Sequence, residues 1–431
     1  MKVVLVYVGV GVAGFNPDRP PGDREGSWIG HGIASISASL KNAGFDTELI
    51  DLRHLCGWDG FAELISKKPA DVYGLSISPV DGEFAVPMAK MIKHFHPDCK
   101  IVVGGIHPTI FPLRYNVDEI DVVVTGEGEI TLVEIVGAFS KKLPVAKKVQ
   151  GKKPELDKLP WVDREAFYYH REMECMFAPD QKTPSITMIS GRGCPFKCTY
   201  CQPAENAIFG HPFRMRSPEN VIEELKVLRD KYHFKSITFW DDTFTLSKRW
   251  LDRFCDLYES NKFKATIAAC SRADIICRNE EMVARLASIG LDWFVIGLES
   301  GSDRILNLIK KGVTVEQNLK ASEICRKYGI KIFGTYMLGL PTETNDEALA
   351  TMEMIDKINP EHPSPFFFTP IKGTDIYMLC EDYDLILDKT RNENISRTGV
   401  FESTIKDVDY DYLNYLLQGG RENSHKKVAS C

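Results

Sequence analysis

The chain of 431 residues has no long apolar run. A membrane-spanning helix needs about 20 apolar residues in succession. The longest uncharged apolar stretch, Val3 to Phe15, is too short for that. Positive charge is not in excess either. Lys and Arg number 53 against 60 Asp and Glu, for a net charge of −7, which argues against a nucleic-acid binder held by phosphate neutralisation. Short-period repeats and low-complexity tracts are absent. A 44% hydrophobic and 26% charged composition excludes a disordered or collagen-like chain. The cysteines form no second C-x-x-C group. Of the twelve, only Cys194, Cys198 and Cys201 are clustered, and the other nine read as buried thiols. The first apolar stretch imitates a signal peptide, with Lys2 before it and Val12-Ala13-Gly14 behind. Its β-branched Val3, Val4, Val6, Val8 and Val10, followed by a glycine-rich loop and a helix, read instead as the first strand of an α/β unit. A cytoplasmic chain with no membrane or nucleic-acid partner is the expectation.

What is present is alternation. Strands are expected at Val3–Val8, Thr47–Leu52, Val72–Ser78, Ile101–Val103 and Val122–Thr125. Helical patterns such as Ile33–Ala43, Phe84–Phe95 and Thr131–Phe139 fall between or after them. This predicts a doubly wound, Rossmann-like domain over residues 1–145, whose ligands bind beyond the carboxyl ends of the strands. Those ends carry small residues: Gly9, Gly11 and Gly14, then Ser76 and Ser78, then Gly104-Gly105-Ile106-His107, then Gly126-Glu127-Gly128-Glu129. Such loops admit a large flat ligand close to backbone. Residues 146–180, rich in lysine and proline, read as a linker. A second alternation covers 181–380, with strands expected at Ile186–Ile189, Ser236–Trp240, Thr266–Cys270, Trp293–Gly297, Lys331–Leu338 and Phe366–Thr369. Six strands with helices between them predict a partial (β/α)6 barrel with its chemistry at the carboxyl ends. Residues 381–431 read as an acidic, aromatic C-terminal extension.

The cysteine cluster follows directly on the first strand of this barrel, as Gly191-Arg192-Gly193-Cys194-Pro195-Phe196-Lys197-Cys198-Thr199-Tyr200-Cys201. Three thiolates on one tight loop make a poor structural zinc site, which closes with four ligands. They suit a cubane iron–sulfur cluster that leaves one iron open to a substrate atom. Zinc stays the competing reading of the triad taken alone.

The C-x3-C-x-aromatic-C loop at this position resembles that of the radical S-adenosylmethionine (SAM) superfamily. Several later stretches are similar to the same family: Arg214-Met215-Arg216-Ser217-Pro218, Phe239-Trp240-Asp241-Asp242, Ser271-Arg272-Ala273-Asp274, and Gly297-Leu298-Glu299-Ser300-Gly301-Ser302. Gly339-Leu340-Pro341-Thr342-Glu343 resembles a Gly-Leu-Pro-Gly-Glu turn, with Thr342 where glycine is usual. The resemblance implies that Cys194, Cys198 and Cys201 hold a 4Fe–4S cluster whose open iron takes SAM, with Tyr200 beside it. It also implies SAM contacts from Asp242 to the amine, Arg272 to the carboxylate, and Glu299 and Ser300 near the ribose.

Val102-Val103-Gly104-Gly105-Ile106-His107-Pro108-Thr109 and Asp121-Val122-Val123-Val124-Thr125-Gly126-Glu127-Gly128-Glu129 resemble the cobalamin-binding members of that superfamily. The resemblance implies a corrin lying on Gly9, Gly11, Gly104, Gly105, His107, Thr109, Gly126, Glu127 and Gly128, with Ser76 and Ser78 at its nucleotide tail. The D-x-H-x-x-G pattern of histidine-ligated cobalamin domains is missing. Asp51-Leu52-Arg53-His54 has the wrong spacing, so cobalt without a histidine ligand is implied. The activity implied is methyl transfer from SAM through methylcobalamin to an unactivated carbon, after hydrogen abstraction by a 5′-deoxyadenosyl radical. The implied partners are SAM, a low-potential electron donor and a small-molecule or protein substrate. Enzymes that methylate a glutamine of methyl-coenzyme M reductase are one branch the resemblance admits. The alternatives are a cobalamin-dependent radical cyclase without methyl transfer and a non-catalytic cobalamin sensor.

Overall fold

The computed structural model describes residues 1–9, 29–79, 81–167, 173–174, 176–178, 180–201, 204–210, 213–387 and 403–419. Gly11 and Gly14 lie outside them. The chain divides into two compact units. The first comprises Met1–Cys175, Ala204–His211 and Thr390–Gly399, and the second the remainder.

The first unit is built on a six-stranded parallel sheet: β1 (Lys2–Tyr7), β2 (Asp46–Asp51), β3 (Val72–Ser76), β4 (Lys100–Gly104), β5 (Val122–Thr125) and β6 (Lys148–Gln150). Their spatial order is β2-β1-β3-β4-β5-β6. Val3 to Val6 are 0–2% exposed, as expected of a parallel strand covered on both faces. The crossing helices, among them Gly57–Ser66 and Ala85–Phe95, bury Phe61, Ile65, Met88 and Ile92 against Tyr73, Ile101 and Val103. The order reverses between β1 and β3, which makes their carboxyl ends the topological switch point where such sheets hold ligands. The sheet does not end at residue 145. The lysine-rich stretch read as a linker supplies β6, with Val124 opposite Val149, and Asp163 returns to pair with Ser37 at 2.6 Å. A three-residue edge strand with a single apolar side chain, Val149, is hidden in the sequence.

The second unit is a sheet of six parallel strands in consecutive order: β7 (Ser185–Met188), β10 (Ser236–Phe239), β11 (Thr266–Ser271), β12 (Leu291–Glu299), β13 (Lys331–Leu338) and β14 (His362–Phe367). Between β7 and β10 a short antiparallel ribbon pairs β8 (Gly191–Arg192) with β9 (Arg214–Met215). The last strand starts four residues before the expected Phe366. It contains Pro363 and Pro365, which an edge strand tolerates because one side needs no donors. Caps explain the helix starts. Ser217 Oγ accepts from the Asn220 N–H ahead of Pro218–Tyr232, and Thr314 and Thr344 form capping boxes with Gln317 and Glu347.

The concave face is closed at its amino-terminal end. Phe177 packs its ring on Trp240, Trp293 and Phe333 at 5.7, 5.9 and 5.2 Å, with Ala268 completing the cluster. Gln181 ties the plug down by donating to Thr238 Oγ1 at 2.7 Å. On the same face, Cys270 and Val295 lie level with Phe333 in the strand register, and Thr335 lies two residues further along β13. The described part of the C-terminal extension, residues 381–387 and 403–419, belongs to this unit. Ile386 bridges Ile405, and Val408 and Leu413 of the extension pack over Gly339.

Candidate cofactor sites

The cysteine loop is anchored at both ends. The buried Asp241 carboxylate, just past β10, accepts from the Ser190 N–H at 3.1 Å and the Ser190 hydroxyl at 2.7 Å. Burial pushes this carboxyl up to about 6. Gly193 takes a positive φ of 87°, which turns the chain out of the ribbon and into Cys194. At the far end, the Thr199 N–H donates to the Ile309 carbonyl (2.9 Å), and its own carbonyl accepts from Ile376 N–H (3.1 Å). Cys194 is half-buried, Cys198 buried and Cys201 exposed. Cys201 is nonetheless ringed by protein, and that desolvation, with the neighbouring Cys198, pushes its thiol up to about 12. Among the described residues no three His, Cys, Asp or Glu side chains converge on a single-ion point. A cubane presents separate iron corners, so its thiolates need not converge. Thr199 Oγ1, buried in the middle of the loop, has no partner within the protein. An orphan donor beside three thiols fits a group with sulfur acceptors.

Behind the loop lies a buried polar triad. Tyr200 Oη donates to Glu299 Oε1 at 2.9 Å, and Lys311 Nζ reaches Glu299 Oε1 at 2.7 Å and Tyr200 Oη at 3.1 Å. Burial, then the Glu299 charge, holds the Tyr200 phenol well above its usual value. Glu299 sits at a register shift at the end of β12 with φ of 61°. Gly297 makes room for it: a Cβ there would lie 2.2 Å from Glu299 Oε1 and 2.7 Å from Lys311 Nζ. Arg272, 5% exposed, donates from Nε to Asp274 (2.9 Å), from Nη2 to the Lys311 carbonyl (2.6 Å) and from Nη1 toward Cys198 Sγ (3.8 Å). Its guanidinium lies over the Phe196 ring at 3.5 Å.

Tyr200, Arg272 and Glu299 thus meet around the cysteine loop. Ser300 does not join them in the same way. It is fully buried, and its hydroxyl accepts from Ser302 N–H and faces Thr351. Asp242 is exposed, while its neighbour Asp241 turns inward to hold the loop. Sequence reasoning passed over both Lys311 and Asp241. One reads as a surface lysine in Lys310-Lys311-Gly312, and the other as half of an acidic pair.

The first unit carries its own site, at the carboxyl edge of β1, β3, β4 and β5. Gly9 has φ of 54°, and a Cβ there would strike the Tyr7 ring at 2.7 Å. Gly105 (φ 105°) lies so close to the next loop that a Cβ would meet the Ile77 carbonyl at 2.7 Å. Thr109 Oγ1 donates to the Gly105 carbonyl and accepts from the Gly126 N–H, stitching the β4 and β5 loops. Gly126 (φ 83°), Glu127 and Gly128 then lead into the helix Glu129–Ser140, with Glu127 buried. Ser76 and Ser78 are half-buried at the β3 end, where Ser78 donates to Asp81 at 2.6 Å. His107 departs from its expected place on the ligand face. It is 1% exposed and its Nδ1 pairs with Tyr115 Oη at 2.6 Å, because the turn after β4 folds the ring back into the unit. His54 lies 3.5 Å from the Asp51 carboxylate, on which Arg53 also forks at 2.6 Å. Hydroxyls, backbone and glycine at a switch point fit a broad, amide-fringed ligand such as cobalamin.

Comparison with known proteins agrees with both halves. Residues 188–355 match the radical SAM superfamily and residues 22–136 the B12 binding domain. An uncharacterized methyltransferase of Pyrococcus horikoshii is 30% identical over 369 residues, covering 83% of this chain and 79% of the relative. The anaerobic magnesium-protoporphyrin IX monomethyl ester cyclase of Rubrivivax gelatinosus is 24% identical over 397 residues, 87% of this chain and 70% of that one. The fold is that of the cobalamin-dependent SAM radical enzyme OxsB, solved with aqua-cobalamin and SAM. The TM-score is 0.74 at 17% identity, over 97% of this chain and 67% of that chain. The radical SAM and B12-binding domains make a 4Fe–4S cluster, SAM and cobalamin, with its cobalt, the cofactors of this protein. The chain belongs to the cobalamin-binding enzymes of the radical SAM superfamily, on the branch that includes its methyltransferase relative.

Proposed function

We propose that this enzyme transfers a methyl group from SAM to an unactivated carbon of its substrate. The observation that carries the reading is the pairing of a braced three-cysteine loop in one unit with a small-residue sheet edge in the other. When bound, the cluster and cobalamin supply, from SAM, a carbon-centred radical that removes hydrogen and a methyl group for the carbon so exposed. Cys194, Cys198 and Cys201 hold the cluster. Glu299, fixed by Lys311 and Tyr200, accepts hydrogen bonds from the ribose hydroxyls of SAM. Asp242, just past the end of β10, is the candidate for the amine. Ser300 keeps the turn after β12 in shape for Glu299. The aromatic plug around Phe177 shuts the lower end of the concave face, so substrate enters from the carboxyl side and water is kept from below. Gly9, Gly104, Gly105, Gly126 and Gly128 leave the sheet edge flat for the corrin. Ser76, Ser78 and Thr109 offer it hydroxyls, and His107 and Glu127 support the loops from behind.

A boundary near residue 175 fits this division of labour, with the described part of the extension kept in the second unit. Reductive cleavage requires a low-potential electron donor, and free thiols with an oxygen-sensitive cluster suit the cytoplasm. Among the described residues no helix is long and apolar enough to cross a membrane.

The test is anaerobic turnover of the reconstituted enzyme with SAM, cobalamin and a reductant, read by mass spectrometry. Methyl transfer predicts 5′-deoxyadenosine and S-adenosylhomocysteine together, and a substrate heavier by one methylene. Deoxyadenosine without S-adenosylhomocysteine would mean a cyclase or rearrangement instead, a reading the cyclase relative favours. Neither product would leave a cobalamin carrier.

A further inference from the structure

The sequence resemblance assigns Arg272 to the carboxylate of SAM, but its surroundings point elsewhere. Asp274 takes the Nε hydrogen, the Lys311 carbonyl takes one from Nη2, and Cys198 Sγ lies 3.8 Å from Nη1. A guanidinium presents its donors in a fixed planar fork, so three anchored nitrogens leave it no freedom to swing. The ring of Phe196, two residues before Cys198, lies 3.5 Å from its centre and blocks one face. At 5% exposure the side chain is among the most buried cations of the second unit. Lys311, whose carbonyl Arg272 holds, is the same lysine that fixes Glu299 and Tyr200.

We propose that Arg272 is a positioning residue of the cysteine loop. It donates to the Cys198 thiolate, clamps Phe196, and through its charge makes the cluster held there easier to reduce. The physical basis is general. Hydrogen bonds and positive charge at cluster sulfurs stabilise the more negative, reduced state and raise the reduction potential. Asp274, bound on one side by Arg272 and on the other by Arg278 at 2.8 Å, fixes the guanidinium so that its Nη1 edge faces the sulfur. The proposal rests on the reading of Cys194, Cys198 and Cys201 as cluster ligands.

The test is an EPR-monitored redox titration of the full-length reconstituted enzyme, with iron and sulfide counted in parallel. Arg272→Gln is expected to keep its cluster but to lower the reduced-to-oxidised ratio at fixed ambient potential, by about tenfold, or about 59 mV for one electron. Arg272→Lys, which keeps the charge, is expected to recover most of that shift. If the Gln variant fails to fold or load, Asp274→Asn carries the test. The Asn oxygen still accepts from Nε and keeps the guanidinium in place, while loss of the anion leaves its charge less offset, so the reduced-to-oxidised ratio is expected to rise. An unchanged potential in the variants that load overturns the proposal. SAM binding weakened at unchanged potential would return Arg272 to the carboxylate. A wild-type protein that holds no cluster would instead overturn the cluster reading beneath it.

Discussion

Thr342 stands where the related turn carries glycine, and its backbone shows the consequence. Its φ is 65°, a conformation that β-branched residues avoid. Arg304 holds it there by donating to its hydroxyl at 3.1 Å and its carbonyl at 2.7 Å, while pairing with Glu347. Thr342→Gly is therefore expected to stabilise the protein by roughly 0.5–1 kcal/mol in chemical denaturation, because it removes left-handed strain at the loss of one exposed hydrogen bond. The same arginine sets an acid limb. Its hydrogen bonds hold the Glu347 carboxyl down at about 2. Because the folded value lies below the unfolded one, the stabilisation is full above about 4.5 and is lost as pH falls toward 2. Asp241 and Glu343 run the other way. Burial lifts them to about 6 and about 7, so folding is favoured below their unfolded values and loses that advantage as pH rises through those points. Thermal melts between pH 2 and 8 should show both limbs. Glu347→Gln should flatten the acid one, and an unaltered profile in that variant would contradict the assignment.

Helices and strands were legible where one residue type does one job. The start of the helix Pro218–Tyr232 is one such place, because a serine cap followed by proline is a local signal. Thr344 is a cap of the same kind, accepting from the Glu347 N–H, and Thr344→Ala should cost about 1 kcal/mol in denaturant melts. The central strands were equally plain, since Val3–Val6 and Val122–Val124 are apolar on both faces. Edges were not. Lys148–Gln150 joins the first sheet with only Val149 to offer it hydrophobic contact, and His362–Phe367 carries two prolines. The cysteine loop could be found from spacing, but its supports could not. Lys311, Asp241 and Phe177 reach it or the concave face from distant points of the chain, and no local pattern separates them from surface or core residues. Phe177→Ala should cost about 2 kcal/mol, less than a fully buried phenylalanine, and leave the cluster content unchanged.

The candidate cobalamin loops and the candidate cluster ligands fall in different units, and this has a measurable consequence. The loops that fit cobalamin, from Gly9 to Gly128, belong to the first unit, and all three cysteines belong to the second. Replacing Cys194, Cys198 and Cys201 together by alanine should therefore abolish the cluster while leaving cobalamin binding, read by its visible absorption, within a factor of about 2 of wild type. Loss of both cofactors in that variant would mean that the sites are not independent. The switch point between β1 and β3 was readable as a class of site from the alternation of strands. Its detailed lining was not, because His107, next to a conspicuous glycine pair, turns inward to Tyr115.

The central claim is that three thiolates hold a cluster whose fourth corner is open to SAM. Its most direct test is the EPR spectrum of the anaerobically reconstituted, reduced enzyme before and after SAM is added. A cubane signal that SAM reshapes, absent from the triple alanine variant, is the predicted result. A signal indifferent to SAM, or no iron–sulfur signal from the wild-type chain, would contradict it.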